Sequence, residues 1–327
     1  MPLETVGSPL LWAGFIAFVL AMLAVDLGIF HKRPHEVSLK EAGVWSAVWV
    51  GFALVFNALV YVWFGAERAL EFTTGYVIEK ALSVDNIFVF VVIFGTFGIP
   101  ALYQHRVLFW GVLGALVLRA AFIVAGGAFL QRFHWAMYVF GGVLVVTGVK
   151  LLLQRHQEMH PERNPLIKLF QRVVPVVPEL VGDKFSVVRN GRLYATPLLL
   201  ALVAVEFTDV IFAVDSIPAI FAITTDPFIV FTSNIFAILG LRSLYFLLAG
   251  IIDKFAYLKL GLSAVLIFVG TKMLLADVYK VPIVASLAVI AGVLGLSIVI
   301  SLLKAPRSTR ETAEGPPPIE TERAGSS

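Results

Sequence analysis

The sequence predicts an all-α, polytopic membrane helical bundle, and three observations carry that prediction. Hydrophobic residues make up 59% of the 327 residues and charged residues 14%, against about 45–50% and about 25% in ordinary globular domains. Mean hydropathy is +0.91, which leaves too little polar material to cover a soluble core. The apolar residues also fall into about nine stretches close to the ~20 residues that cross a bilayer: 10–30, 42–64, 74–98, 107–130, 135–153, 196–222, 229–250, 257–276 and 282–303. A formal charge of +3 is too slight to argue for nucleic acid as a partner. The absence of cysteine excludes disulfide frameworks, thiolate metal sites and cysteine nucleophiles.

The first stretch reads as a span and not as a cleaved leader, because residues 1–9 hold no Lys or Arg, only Glu4. Basic residues then set the orientation of the rest. With the N-terminus outside, sixteen Lys and Arg lie in inner loops and the tail (Lys32 and Arg33 are the first) against three outside: Arg68, Arg132 and Lys280. The expected membrane domain is 1–303. Its longest inner loop, 154–195, contains Asn190-Gly191 between two β-prone runs, a type I′ hairpin signal. The tail 304–327 is rich in Pro, Glu, Ser and Thr and is expected to be disordered and cytoplasmic.

Spans 3–5 and 6–8 repeat one another, at about 74–153 and 196–276. Val84-Asp85-Asn86-Ile87-Phe88 matches Thr208-Asp209-Val210-Ile211-Phe212, and the stretches around Arg119 and Arg242 match, as do Gly148-Val-Lys150 and Gly270-Thr-Lys272. The offsets are 209 − 85 = 124, 242 − 119 = 123 and 272 − 150 = 122. A unit of three spans is odd, so the second copy lies upside down. Such inverted repeats place a site near the midplane and suit alternating access.

The charges inside spans mark that site. Glu79, Asp85, Arg119, Glu206, Asp209, Asp215 and Arg242 all fall there, each costing about 2.5–3.5 kcal/mol at a helix centre. They are therefore expected to face a polar interior and to pair. Asp85–Arg119 and Asp209–Arg242 are neighbours in sequence order, and pairing across the repeats is equally open. Lys150 and Lys272 lie near helix ends, where they can snorkel to the interface, and Lys80 is placed to do the same. Five carboxylates against Arg119, Arg242 and Lys80 leave a surplus of two negative charges, which a divalent cation would neutralise.

At 100° per residue, Glu79, Ser83 and Asn86 share one face. Glu206 and Asp215 project to opposite sides of span 6, so a bend is expected, with Pro218 as its cause. Every candidate ligand is a carboxylate, amide or hydroxyl oxygen. None of the six histidines (31, 35, 105, 134, 156 and 160) lies mid-span, so hard cations such as Mg²⁺, Ca²⁺ or Mn²⁺ are favoured. His156-Gln-Glu-Met-His160 places its acid one residue off the zinc-protease spacing. No phosphate-binding loop or nucleophile–base constellation is present, so neither an ATP-driven pump nor an enzyme is expected.

Glu79-Lys-Ala-Leu-Ser-Val-Asp85-Asn-Ile-Phe and Glu206-Phe-Thr-Asp209-Val-Ile-Phe-Ala-Val-Asp215-Ser-Ile-Pro218-Ala resemble the TerC family of integral membrane proteins, particularly its Alx-like members. Asp26-Leu-Gly-Ile-Phe and Thr196-Pro197 are similar to the same family, and the resemblance covers about residues 10–303. It implies a multi-pass protein of the bacterial inner membrane that handles metal ions, with manganese export as the leading activity. The family name derives from tellurium resistance, and relatives are linked to alkaline stress or membrane-protein assembly. Carried over residue by residue, the metal positions are Glu79, Asp85, Asn86, Glu206, Asp209 and Asp215, with Arg119 and Arg242 as supporting ion pairs. The expected substrate is a divalent cation, Mn²⁺ first, with no tightly bound cofactor and membrane lipids as partners. The alternative is an assembly or stress-resistance factor without transport, with a protein partner at the loop 154–195. Oxyanion transport through the two arginines is weaker, because the central charge is net acidic.

Overall fold

The computed structural model describes residues 5–30, 37–133, 135–153, 174–189, 191–249, 257–279 and 281–303, with Asp85 and Asp215 among the residues described by backbone only. The tail 304–327, loop residues 154–173, and every histidine except His105 lie outside the described residues. Among the described residues, nine helices and one hairpin follow in chain order: α1 Pro9–Phe30, α2 Leu39–Thr96, α3 Ala101–Arg132, α4 Ala136–Leu153, β1 Ser186–Arg189, β2 Arg192–Ala195, α5 Pro197–Phe221, α6 Pro227–Leu239, α7 Leu241–Leu248, α8 Leu258–Leu274 and α9 Ile283–Leu303. The protein is an all-α membrane bundle. Among the described residues, five helices are long and apolar enough to cross a membrane (α2, α3, α4, α5 and α9), and a sixth if α6 and α7 count as one bent span. The apolar stretches Pro9–Val25 and Leu260–Leu274 are shorter.

Two element boundaries depart from the sequence-based expectation. Of residues 65–73, expected as an outer loop, all but Gly65 are helical within the 58-residue α2. At 1.5 Å per residue that helix would be about 87 Å long, far beyond a ~30 Å hydrocarbon core. It breaks at Gly65, whose φ of 88° and ψ of 178° are not helical. The residues that follow, Ala66-Glu-Arg-Ala-Leu-Glu71, are mostly strong helix formers and restart the helix at once. The second departure is in span 7, which divides at Gly240 into α6 and α7, bent by 41°. The bend expected at Pro218 is not where the chain breaks: α5 runs through that proline to Phe221, where the missing N–H removes one bond from the end of the helix.

The second half of α2 is the centre of the bundle, packed on α5, α6, α7 and α9, with Ile78, Ile87 and Ile93 fully buried. The closest helix pairing is α4 on α8, and small residues permit it. A Cβ on Gly141 would lie 2.9 Å from the Gly270 carbonyl, and one on Gly148 would lie 2.9 Å from that of Ser263. Short polar links close the two ends. Asp226 caps α6 by accepting from the amides of Phe228 and Ile229, and also accepts from the Thr5 hydroxyl and the Val6 amide. Beside it, the buried Glu71 accepts from the Thr224 hydroxyl and from Arg68, each at 2.8 Å. At the other end, β1 and β2 pair antiparallel with Arg189 opposite Arg192, and Gly191 between them takes φ 74°. Thr196 donates back to the carbonyls of Lys184 and Phe185, while Arg106 pairs with Asp183 and lies over the Phe185 ring.

Candidate functional site

Arg119 of α3 is 1% exposed and is among the largest fully buried side chains in the bundle. A guanidinium in that position must be neutralised and hydrogen-bonded, and three other helices supply the partners. From α5, Asp209 accepts two bonds in a fork, Nε to Oδ2 at 3.2 Å and Nη2 to Oδ1 at 2.9 Å. From α2, Glu79 accepts at Oε1 from Nη1. The same Nη1 reaches Ser216 Oγ of α5 at 3.4 Å and Asn234 Oδ1 of α6 at 3.3 Å. Asn234 Nδ2 in turn donates to Glu79 Oε2 at 3.1 Å, so both oxygens of this fully buried carboxylate are satisfied.

Arg119 of α3 therefore pairs with Asp209 of α5, far along the chain, as well as with Glu79 of α2. Glu79, Ser83 and Asn86 are all buried, as their common face predicts, and Ser83 donates to the Glu79 carbonyl at 2.8 Å. Beside this cluster lies a cavity of about 90 Å³, with Glu79, Asn86, Arg119, Thr147 and Ser216 among its walls. At roughly 30 Å³ per water this is room for a few waters or a partly hydrated ion. Asn86 is 1% exposed, and its Oδ1 has no hydrogen-bond partner among the described residues. Glu206 lies half-buried on α5 with its carboxylate against Gly114 of α3, where a Cβ would overlap it; its Oε2 has no hydrogen-bond partner there either.

Arg242 stands apart, lining a small pocket with His105, Ser243 and Trp45. Lys80 does not reach for the interface. It turns into the bundle and donates to the Ala237 carbonyl at 3.1 Å. The Asp85 and Asp215 side chains are outside the described residues. Among the described residues no three His, Asp or Glu stand at metal-binding spacing, and the Arg119 guanidinium lies between Glu79 and Asp209. Sequence reasoning passed over Asn234, Ser216, Thr147 and Gly114. A lone amide in the apolar run of residues 227–239 was the one signal that could have singled out Asn234.

The model of the integral membrane protein TerC family matches residues 64–309, three quarters of the chain and every residue of this cluster. The chain belongs to the TerC family. A Myxococcus xanthus relative, "Uncharacterized membrane protein STKORF319", is 64% identical over 95% of this chain and 98% of its own. An Escherichia coli K12 relative is 48% identical over 91% of this chain and 96% of its own, under the name "Putative membrane-bound redox modulator Alx". A Rickettsia felis membrane protein is 43% identical over 90% of this chain and 97% of its own. No solved structure matches. As a TerC-family member this chain is an integral, multi-pass membrane protein, and none of these three relatives carries an enzymatic name.

Proposed function

We propose that this TerC-family protein is a secondary transporter that exports a divalent metal cation, Mn²⁺ first, through a carboxylate site near the middle of the membrane. The Glu79–Arg119–Asp209 cluster carries this reading: two buried carboxylates from different halves of the chain converge on one guanidinium beside a cavity that Asn86, Thr147 and Ser216 share with leucine side chains. Their formal sum is −1 − 1 + 1 = −1, and Asp85, Glu206 and Asp215 lie on the same two helices. Arg119 acts as a tethered cation in the place a diffusible one would take. Asp85 and Asp209 bind the ion, Glu79, Asn86, Glu206 and Asp215 complete or relay to the site, and Arg119 and Arg242 hold the carboxylates when the ion leaves.

The transport reading rests on nine spans: α1, the two halves of α2, α3, α4, α5, the α6–α7 pair, α8 and α9. Spans 3–5 and 6–8 form inverted repeats. The α4–α8 contact supports this. Adding the repeat offset, 141 + 122 = 263 and 148 + 122 = 270, turns the contact of Gly141 with Gly270 into that of Ser263 with Gly148. Two antiparallel helices that exchange contacts in this way are related by a two-fold axis across them, as inverted repeats require. The same operation turns Arg119–Asp209 into Arg242–Asp85, the pair of the oppositely facing state. The protein sits in the cell inner membrane with its N-terminus outside and its C-terminus, tail and 154–195 loop in the cytoplasm.

Electron paramagnetic resonance of Mn²⁺ added to the purified protein tests the site. The expected result is one bound ion per chain, weakened about tenfold or more, or at least ~1.4 kcal/mol, by Glu79→Gln or Asp209→Asn. Equal binding in both variants would remove the assignment. The folded stretches 174–189 and 191–195, anchored through Thr196 and Arg106, favour one second reading, an assembly or stress factor acting through a partner at the loop. The relative's name suggests a redox role, but with no cysteine this chain has no thiol to carry one. Replacing 186–195 with a Gly-Ser linker discriminates: retained Mn²⁺ binding with a lost stress phenotype would favour the partner reading.

A further inference from the structure

Glu79 and Lys80 are successive residues of α2, and both grip the same half-helix. Glu79 accepts from Asn234 Nδ2 at 3.1 Å, and Lys80 donates to the Ala237 carbonyl at 3.1 Å. Positions 234 and 237 are one turn apart on α6, so the two grips sit side by side just before the break at Gly240. In an unbroken helix the Ala237 carbonyl would accept from the amide of residue 241. The 41° bend at Gly240 places that carbonyl at a helix C-terminus, where the dipole is negative and a cation is favourable.

The surroundings are shaped to admit the ammonium. Lys80 Nζ lies 5.9 Å from the centre of the Tyr76 ring. A Cβ at Gly240 would stand 2.8 Å from Nζ and 3.2 Å from Trp49 Cβ. A side chain at position 240 would make the ammonium shift from this place.

We infer that Lys80 is a latch on the broken span, a positioning residue that keeps α6 docked on α2 while the neighbouring carboxylate is engaged elsewhere. The link to function rests on the cation-site reading above. When a cation takes the Glu79 carboxylate, Asn234 loses its acceptor, and Lys80–Ala237 is then the remaining one of the two grips. Asn234 also contacts Arg119 at 3.3 Å, so the position of α6 sets the geometry of the ion-pair cluster. Lys80 thereby couples occupancy of the site to movement at Gly240.

Hydrogen–deuterium exchange on the purified full-length protein tests this, comparing wild type, Lys80→Met and Gly240→Ala with and without Mn²⁺. In metal-free protein, Lys80→Met should raise exchange of the α6 amides about tenfold or more, the worth of one charged hydrogen bond, with α4 and α8 unaffected. Gly240→Ala should raise it in the same segment by crowding Nζ. Unchanged α6 exchange in both variants would overturn the latch. Mn²⁺ should raise α6 exchange further in Lys80→Met while leaving wild type unchanged, a response that a purely structural lysine would not give. Equal exchange with and without Mn²⁺, in protein shown by resonance to bind the ion, would overturn the coupling. Failure to bind the ion at all would instead overturn the site reading, and the metal-free comparison would still judge the latch.

Discussion

Replacing Arg119 with methionine keeps most of the buried volume and removes the charge. The substitution deletes five hydrogen bonds to four side chains on three helices. It leaves Glu79 and Asp209, 0% and 3% exposed, without their cation, and the formal charge of the cluster falls from −1 to −2. Breaking a buried pair by removing one partner costs about 3–5 kcal/mol, a large share of the ~5–15 kcal/mol that stabilises a typical domain. At roughly 2–4 °C per kcal/mol the midpoint should fall by about 6–20 °C. A divalent cation can restore neutrality at −2 without displacing an arginine. At a concentration of about 100 times its Kd it would return ~2.7 kcal/mol. Thermal loss of the monodisperse species in detergent, measured with and without Mn²⁺, reads both effects. The reasoning fails if the midpoint does not move, or if Mn²⁺ raises that of Arg119→Met no more than that of wild type.

Four further outcomes follow from the packing. Gly148→Leu should destabilise by about 1–3 kcal/mol through overpacking, because its Cβ would lie 2.7 Å from Ile267 and 2.9 Å from the Ser263 carbonyl; the thermal midpoint checks this. Thr224→Val should cost about 1.5–3 kcal/mol, since the buried Glu71 loses its 2.8 Å hydroxyl donor, and the same scan reads it. Gly114→Ala should push the Glu206 carboxylate off α3 and lower Mn²⁺ affinity about tenfold, as a resonance titration would show. Arg106→Gln should move the midpoint little, because its pair with Asp183 is partly open to solvent and pairs in contact with water are worth about 0–1 kcal/mol.

The fold class and the ion-pair participants were legible for definite reasons. Apolar composition and span lengths specify a membrane bundle, and a charge inside a span has to be buried and paired wherever the helices go. Helical periodicity placed Glu79, Ser83 and Asn86 on one buried face. What periodicity does not contain is which helix lies beside which, and so it is the packing of α3 on α5 that puts Arg119 on Asp209. Lys80 was expected to snorkel because it lies near a helix end, but the break at Gly240 exposes a carbonyl that holds it inside. That break was itself hidden, because a glycine in an apolar run is a weaker signal than a proline. Pro218 drew attention while sitting in the last turn of α5, where it disturbs little. The gap at 65–73 between two apolar stretches suggests a loop, although the intrinsic preference of residues 66–71 is helical.

The central claim is tested most directly by Mn²⁺ flux across proteoliposomes containing the purified protein alone. The account predicts saturable Mn²⁺ transport by wild type and near-complete loss in Asp209→Asn and Asp85→Asn, with the protein still inserted and folded. Unchanged transport in both variants, or no transport by wild type, would contradict it.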